Sequence, residues 1–404
     1  MRTYGRSDKL KSVQYAVRGP VAEKANQMEQ QGIEVLKLNI GNPAPFGFRA
    51  PQNIVDEMKA NIEDNEGYSH SKGLPDTRQA IYEYALKKNL PNVNVDEIFT
   101  GNGASELITM TLNALLNPGD EVLVPAPDYP LWTGSVTLAG GTPVHYLCDE
   151  KSDWMPDIED IKSKINSNTV GIVVINPNNP TGAIYPDEVL QQIADLATEH
   201  GLILFSDEIY DRILMDGYEH KSLATFAPDA FTLTFGGLSK SHMMCGFRIG
   251  WLILCGKRDH VKDYIAGLTV LASMRLCSNV PAQTVVRHCL EDKSELEAML
   301  LPGGRLYEQR KVVMEGIKDI AGMSVVYPHG AFYCFPKLDE RFNIHDDQQF
   351  ALDMLEQAHV LVTHGTGFNW PNPDHFRIVM LPDTETLAAA MKNIGSFLDG
   401  YRQK

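Results

Sequence analysis

Residues 170–182 read VGIVVINPNNPTG, and this stretch decides the fold class. It begins with an apolar run at 170–175, of the kind that forms a strand covered by helices on both faces of a sheet. Two prolines then forbid the strand from continuing, and asparagine amides follow where the chain leaves the sheet. In an open α/β sheet, ligands bind at this edge, outside the carboxyl ends of the strands. A plain turn is the competing interpretation of these prolines and asparagines.

The chain around this stretch alternates short apolar runs with helical patterns, which is typical of strand-helix-strand units. We predict seven strands, at 97–100, 121–125, 143–147, 170–175, 202–206, 231–235 and 249–254. Helical stretches such as 105–116 and 188–200 lie between them, and each ends at a glycine-containing stop signal. The sequence therefore predicts an α/β fold with a large, mostly parallel seven-stranded sheet sandwiched by helices.

Beyond residue 302 the pattern changes to that of a smaller α+β unit. We predict a helix at 304–320, short strands near 323–327, 331–335, 360–363 and 376–380, and helices around Gln348 and Thr386. The N-terminal segment has a helical pattern at 21–31 but no sheet of its own, so we expect it to pack with this unit. The predicted division is an N-terminal segment 1–50, a large domain 51–300 and a small C-terminal domain 301–404.

Composition excludes several classes of protein. The 404 residues include 36 Lys and Arg against 52 Asp and Glu, and a net charge of −16 disfavours nucleic acid and anionic membranes as partners. The polar first ten residues do not resemble a signal peptide, and no apolar run approaches the roughly 18 residues of a spanning helix, so we expect a cytoplasmic protein. The six cysteines lack Cys-x-x-Cys spacing and the histidines lack His-x-x-x-His spacing, so we expect no metal.

Three more polar elements follow or precede predicted strands. Asp207 and Tyr210 come directly after the run at 202–206, and FGGLSK at 235–240 places Ser239 beside Lys240. The glycine-rich GNGAS at 101–105 opens a helix and offers backbone N–H groups to a phosphate. Taken singly, Asp207 could be a helix N-cap and Lys240 a solvated side chain. Taken together, a phosphate cradle, a buried carboxylate, a phenol and an amine describe one ligand, pyridoxal 5'-phosphate.

The order and spacing of these motifs resemble one family. NPNNPTG at 176–182, Asp-x-x-Tyr at 207–210, Ser-Lys at 239–240 and GFRIG at 246–250 occur as they do in class I PLP-dependent aminotransferases of fold type I. The resemblance covers nearly the whole chain. Longer segments at 15–20, 36–45, 125–132 and 271–277 are similar to the bacterial glutamate-pyruvate (alanine) aminotransferase branch of that family.

The resemblance implies roles for the cofactor-binding residues. Lys240 would bind the aldehyde of the cofactor and later move the substrate proton, and Asp207 would pair with the ring nitrogen. Asn179 and Tyr210 would hydrogen-bond the phenolic oxygen of the ring, and Tyr129 would stack on its face. The residues implied at the phosphate are Gly103, Ala104, Ser105, Ser239 and Arg248.

One position departs from the family pattern, and three more residues complete the implied site. Gly237 stands where many relatives have a hydroxyl, which leaves the phosphate contact on that side open. Tyr68 aligns with the tyrosine that relatives lend to the neighbouring subunit, which implies a homodimer. Arg377 would clamp the substrate α-carboxylate, with Asn179 and the backbone of Gly41 beside it. A surface arginine and a plain turn glycine are the competing interpretations of Arg377 and Gly41.

The implied reaction exchanges the amino group between L-alanine and 2-oxoglutarate, giving pyruvate and L-glutamate, in a ping-pong cycle through pyridoxamine phosphate. Such a site must meet a second carboxylate, for which Arg18 and Arg275 are candidates unless they form structural ion pairs. Alternatives are an aspartate or broad-specificity aminotransferase, a β-lyase, and a PLP-binding regulatory protein. The last is disfavoured because the acidic chain contains no basic helix-turn-helix segment.

Overall fold

The computed structural model describes residues 2–13, 19–291 and 294–404. The strands are β1 (Leu36–Lys37), β2 (Ile98–Gly101), β3 (Glu121–Ala126), β4 (Thr142–Asp149), β5 (Met155–Pro156), β6 (Thr169–Ile175), β7 (Ile203–Asp207), β8 (Thr232–Gly237), β9 (Gly250–Cys255), β10 (Met323–Ser324), β11 (Tyr333–Cys334), β12 (Lys337–Leu338), β13 (Val360–Leu361), β14 (Thr363–His364) and β15 (Phe376–Val379). Among the described helices, none has the length and apolar character needed to cross a membrane.

The helices occupy the intervals between these strands. They are α1 (Pro20–Gln30), α2 (Gln52–Asn61), α3 (Pro75–Lys87), α4 (Ala104–Leu115), α5 (Leu131–Leu138), α6 (Ile158–Lys164), α7 (Asp187–His200), α8 (Leu238–Ser241), α9 (Lys262–Met274), α10 (Val280–Gln283), α11 (Val286–Glu291), α12 (Ser294–Leu300), α13 (Arg305–Lys318), α14 (Asp347–Ala358) and α15 (Thr384–Leu398).

The largest sheet has eight strands in the order β2-β9-β8-β7-β6-β3-β4-β5. The strands β4, β3, β6, β7 and β8 run parallel to one another. At one edge β9 is antiparallel to both β8 and β2, so β2 runs in the same direction as the parallel strands, and at the other edge β5 is antiparallel to β4. All seven predicted strands are present, each within two residues of its predicted bounds. The prediction of a mostly parallel α/β sheet is therefore confirmed. The two-residue strand β5 was missed because so short a segment leaves no periodic pattern.

Helices cover both faces of this sheet, as the apolar sequence of its strands requires. Along β6, Val173 and Ile175 belong to one apolar cluster and Ile172 and Val174 to another, because successive side chains point to opposite faces. Helices α4 and α9 contribute to the first cluster and α7 to the second. Burying each of these aliphatic side chains stabilises the fold by about 1.5–3 kcal/mol.

The N-terminal and C-terminal parts of the chain share a third apolar cluster. Buried residues of α1 lie in it together with residues of α13, α14 and α15. The short strands here form three small sheets, β1-β13, β10-β12 and β11-β15-β14, and β1 pairs in parallel with β13. The N-terminal segment thus contributes a strand that was not predicted. The run expected at 360–363 is two strands with different partners, and β14 pairs instead with β15, which carries Arg377.

Candidate active site

The carboxyl ends of β6, β7 and β8 open into one cavity of about 200 Å³. Most of the residues predicted from the sequence line it, namely Gly41, Ala104, Ser105, Tyr129, Asn179, Asp207, Tyr210, Ser239, Lys240, Arg248 and Arg377. A larger open cleft of about 950 Å³ beside α14 and the C-terminal residues contains none of them. In the described part of the chain, no cluster of His, Cys, Asp and Glu side chains is arranged to hold a metal ion.

Lys240 lies in α8, the short helix that follows β8, and its side chain is half-buried in the cavity. Its Nζ donates a hydrogen bond of 2.6 Å to the carbonyl oxygen of Gly41 and lies 6.0 Å from the ring centroid of Tyr210. At Gly237, just before α8, an added Cβ would lie 3.0 Å from the carbonyl oxygen of Ile249. A side chain at this position would therefore require the neighbouring backbone to give by a few tenths of an ångström.

Asp207 is the last residue of β7 and is only 3% exposed. Its carboxylate oxygens accept hydrogen bonds from Trp132 Nε1 at 3.0 Å and from the backbone N–H of Ile209 at 3.3 Å. Burial raises the pKa of Asp207, although these two hydrogen bonds oppose the shift. Residues 209–212 form turns, so Asp207 caps no helix there. A carboxylate this deeply buried is costly unless it meets a cation or a strong donor, and it faces the cavity.

In the asparagine-rich turn after β6, the Asn178 amide has a structural role and the Asn179 amide faces the cavity. The side chain of Asn178 stays within the turn, where its Oδ1 accepts hydrogen bonds from Thr181 N and Oγ1 at 3.2 and 2.9 Å. Asn179 instead lines the cavity, and its Oδ1 accepts a hydrogen bond of 2.9 Å from Arg377 Nη1. Arg377 Nη2 donates to the carbonyl oxygen of Asn39 at 2.5 Å. Arg377 is 3% exposed, which rules out the surface-arginine interpretation.

A second guanidinium lies at the start of α4, on the opposite side of the cavity. Gly103 precedes this helix with a φ of 82°, and a Cβ on it would lie 2.1 Å from Arg248 Nη2. Arg248 donates from Nη2 to Ser105 Oγ at 3.2 Å and from Nη1 to the carbonyl oxygen of Cys245 at 2.7 Å. Glycine is therefore needed at position 103 both for the left-handed conformation and for the space that the guanidinium occupies. Free N–H groups of a helix start beside a guanidinium suit a phosphate.

Two tyrosine hydroxyls meet in the wall of the cavity, beside the Arg377 guanidinium. Tyr210 is 2% exposed, and its Oη lies 2.7 Å from Tyr333 Oη. Burial and the neighbouring Tyr333 raise the pKa of Tyr210 well above its ordinary value, so this hydroxyl keeps its proton and is able to donate it. The Tyr333 ring also packs against the Arg377 guanidinium, with 4.4 Å from Cζ to the ring centroid.

Two predicted side chains, those of Tyr68 and Arg275, do not line the cavity of this single chain. Tyr68 is 81% exposed and does not line the cavity. Arg275 forms an ion pair with Glu106 and donates to the carbonyl oxygen of Thr100 at 2.7 Å, so it is a structural ion pair, the alternative left open by the sequence. Arg18 lies outside the described residues, and its role stays a prediction.

Several residues that line the cavity were not predicted. Tyr333 and Cys245 both contribute to its wall, as do the aliphatic side chains of Ile40, Ile108, Ile175 and Ile209. The sequence interpretation of Tyr333 went no further than an apolar strand at 331–335. A tyrosine interrupting that strand pattern was the one available signal, because a buried phenol requires a hydrogen-bond partner.

Comparisons with known proteins agree on one family. The model of the family described as aminotransferase class I and II matches residues 33–394. The chain is 54% identical to glutamate-pyruvate aminotransferase AlaA of Escherichia coli strain K12 over 98% of both chains, and 52% identical to an alanine aminotransferase of Mycobacterium tuberculosis over 100% of this chain and 94% of that one.

Solved structures give the same result. A crystal structure of an aminotransferase from Escherichia coli has a TM-score of 0.98 at 53% identity and full coverage of both chains. An alanine aminotransferase from Pyrococcus furiosus has a TM-score of 0.93 at 38% identity, over 98% of this chain and 100% of that one. With its fold, its cavity and these matches in agreement, the chain belongs to the class I and II aminotransferases.

Proposed function

We propose that this aminotransferase uses pyridoxal 5'-phosphate to exchange the amino group between L-alanine and 2-oxoglutarate, giving pyruvate and L-glutamate. The observation that carries the proposal is the convergence of Lys240, Asp207, Arg248 and Arg377 on one cavity. The choice of alanine rests on the similarity to relatives that are named for alanine or for glutamate and pyruvate.

The donor set of the cavity fits the cofactor. Arg248, Ser105 and the start of α4 would hold its phosphate, and the absence of a Cβ at Gly103 leaves room for the Arg248 guanidinium beside that helix start. The buried carboxylate of Asp207 would pair with the protonated ring nitrogen, and this ion pair would offset the free-energy cost of burying the carboxylate charge. Tyr210 would donate to the phenolic oxygen, and Tyr129 would lie against the ring face. When bound, the cofactor supplies an aldehyde that accepts an amino group and a ring that withdraws electrons.

The protein supplies substrate orientation and proton transfer. Arg377 would bind the α-carboxylate with its planar fork, and Asn179 holds one end of that fork at 2.9 Å. The Lys240 amine would take the proton from the substrate α-carbon, because it lines the same cavity as Arg377 and donates a hydrogen bond to the backbone of Gly41. The isoleucine side chains that line the cavity would limit access of water.

We also propose that two copies of the chain assemble and that Tyr68 completes the phosphate site of the partner. Apolar side chains are exposed near the end of α9, at Val270, Met274 and Leu276, with exposures of 58%, 74% and 51%. The loop that carries Tyr68 is joined to this region by a hydrogen bond of 3.0 Å from Arg275 Nη2 to the carbonyl oxygen of residue 71. Several large apolar side chains exposed close together in sequence support an interface in this region.

The division into an N-terminal segment 1–50, a large domain 51–300 and a small domain 301–404 stays a proposal. It is supported by the separate apolar cluster that α1 shares with α13, α14 and α15.

The six cysteines are all free thiols, which is the state expected in a reducing compartment, and we propose that the enzyme works in the cytoplasm.

An absorbance experiment tests the proposed function. Pyridoxal phosphate added to the purified protein should produce a visible band that is absent in Lys240→Ala. L-Alanine added without a keto acid should then remove the band and release pyruvate in an amount equal to the enzyme. Discharge by aspartate but not by alanine would indicate an aspartate aminotransferase, and catalytic pyruvate release without an acceptor would indicate a lyase. If the wild-type protein gives no band, the proposal is wrong.

A further inference from the structure

Tyr333 contacts three residues of the proposed site, although it belongs to no sequence motif. It lies on β11 and is 2% exposed. Its Oη is 2.7 Å from Tyr210 Oη, its ring faces the Arg377 guanidinium at 4.4 Å, and its Oη would lie 2.0 Å from a Cβ on Gly41. One side chain therefore connects the phenol, the arginine and the backbone segment around the cavity.

The proposed ligand determines which phenol, Tyr210 or Tyr333, donates the hydrogen bond between them. Either hydroxyl can donate in the protein alone. Tyr210 has one proton, and under the proposed function that proton is donated to the phenolic oxygen of the cofactor. Its own oxygen must then accept, and Tyr333 is the donor that lies within hydrogen-bond distance. In a buried site, a donor to Tyr210 also polarises its O–H group and strengthens the bond that it makes onward.

We propose that Tyr333 is a positioning residue with two roles. Its hydroxyl orients the Tyr210 hydroxyl toward the phenolic oxygen of the cofactor, and its ring packs against the Arg377 guanidinium and holds it in place. This inference rests on the proposed function. A donor on the phenolic oxygen draws away the negative charge that holds a proton on the nearby lysine nitrogen. If Tyr210 becomes a weaker donor, more negative charge stays on the phenolic oxygen, and the lysine nitrogen holds its proton more tightly. The visible band of the bound cofactor therefore titrates at higher pH.

The test is a pH titration of that band, without substrate, in Tyr333→Phe. Phenylalanine keeps the ring against Arg377 and adds no atoms, so the fold is not challenged. We expect the midpoint to rise by about half a pH unit, as the loss of one neutral hydrogen bond implies. In a Tyr210→Phe background, Tyr333→Phe should produce no further shift. Tyr146→Phe removes another buried phenol, which donates to the carbonyl oxygen of Val173 at 2.8 Å, and should leave the midpoint unchanged.

A second measurement separates the hydroxyl from the ring. Tyr333→Phe should leave the KM for L-alanine within about twofold of wild type, whereas Tyr333→Leu removes the ring behind Arg377 and should raise it about tenfold. An unshifted midpoint in Tyr333→Phe, or an equal shift with and without the Tyr210 hydroxyl, would overturn the inference while the proposed function stands. A wild-type protein without a cofactor band would overturn the proposed function, and the inference with it.

Discussion

Gly41→Ala should disturb the cavity through a single steric contact. Gly41 is not among the residues with positive φ, so alanine suits its backbone and the whole effect must come from the added methyl group. That methyl would lie 2.0 Å from Tyr333 Oη and 2.9 Å from Tyr333 Cζ, whereas ordinary contacts begin at 3.4 Å. The phenol would have to retreat by more than 1 Å, which breaks its hydrogen bond to Tyr210. Overpacking and the lost bond together should lower the free energy of unfolding by about 2–4 kcal/mol.

Urea unfolding of a double-mutant cycle measures this effect. With Tyr333→Phe the closest atom becomes Cζ at 2.9 Å, so Gly41→Ala should cost at least about 1 kcal/mol less in that background than in wild type. Gly246→Ala is the control, because an added Cβ there meets no atom within 4 Å. Additive free energies in the cycle, or a Gly41→Ala loss no larger than that of the control, would refute the steric reasoning.

Three further predictions concern charged groups. Arg377→Ala should raise the KM for L-alanine at least about tenfold while the cofactor band is retained, and steady-state kinetics showing an unchanged KM would contradict the carboxylate clamp. Lys88→Met removes the ammonium group that lies 2.8 Å from Glu208 and 2.9 Å from Asp211, two largely buried carboxylates that keep hydroxyl donors such as Ser222 and Tyr84 but lose this cation. The free energy of unfolding should therefore fall by about 3–5 kcal/mol near neutral pH, less at acid pH, and a loss below about 1 kcal/mol in urea would argue against the ion pairs. Burial raises the pKa of Asp128 from 3.8 to about 7, so the folded state holds a proton that the unfolded chain releases between those values. The stability of wild type relative to Asp128→Asn should consequently decrease by up to about 4 kcal/mol as pH rises through that window, and a pH-independent difference in urea would count against it.

The large sheet was predictable because all of its strands except the two-residue β5 carry their own signal. Several of the strands are apolar on both faces, and they are followed by prolines, glycines or polar residues, all of which is local information. The residues at the strand ends could be predicted for the same reason. Parallel strands bring their carboxyl ends to one edge, so Asn179, Asp207 and Lys240 were expected at the same edge of the predicted sheet, and the strand order β6-β7-β8 in the structure makes them neighbours.

The C-terminal strands were harder to predict because they are two to four residues long and pair with distant partners. The run at 360–363 was one apolar segment in sequence, but β13 pairs with β1 of the N-terminal segment and β14 pairs with β15. Hydrophobic pattern identifies a strand without identifying its neighbour, so this split could not have been predicted.

The amino-acid sequence by itself determined the fold class, the position of the cavity at the sheet edge and the ionic and amine groups that line it. Tertiary structure decided which of the remaining polar side chains face that cavity. Arg275 pairs with Glu106 outside it, whereas Tyr333, nearly three hundred residues away from Gly41, reaches that glycine and the Tyr210 hydroxyl within it. The physical reason is that a hydroxyl or a guanidinium takes its function from the partner that it meets, and these partners are brought together only when the whole chain has folded.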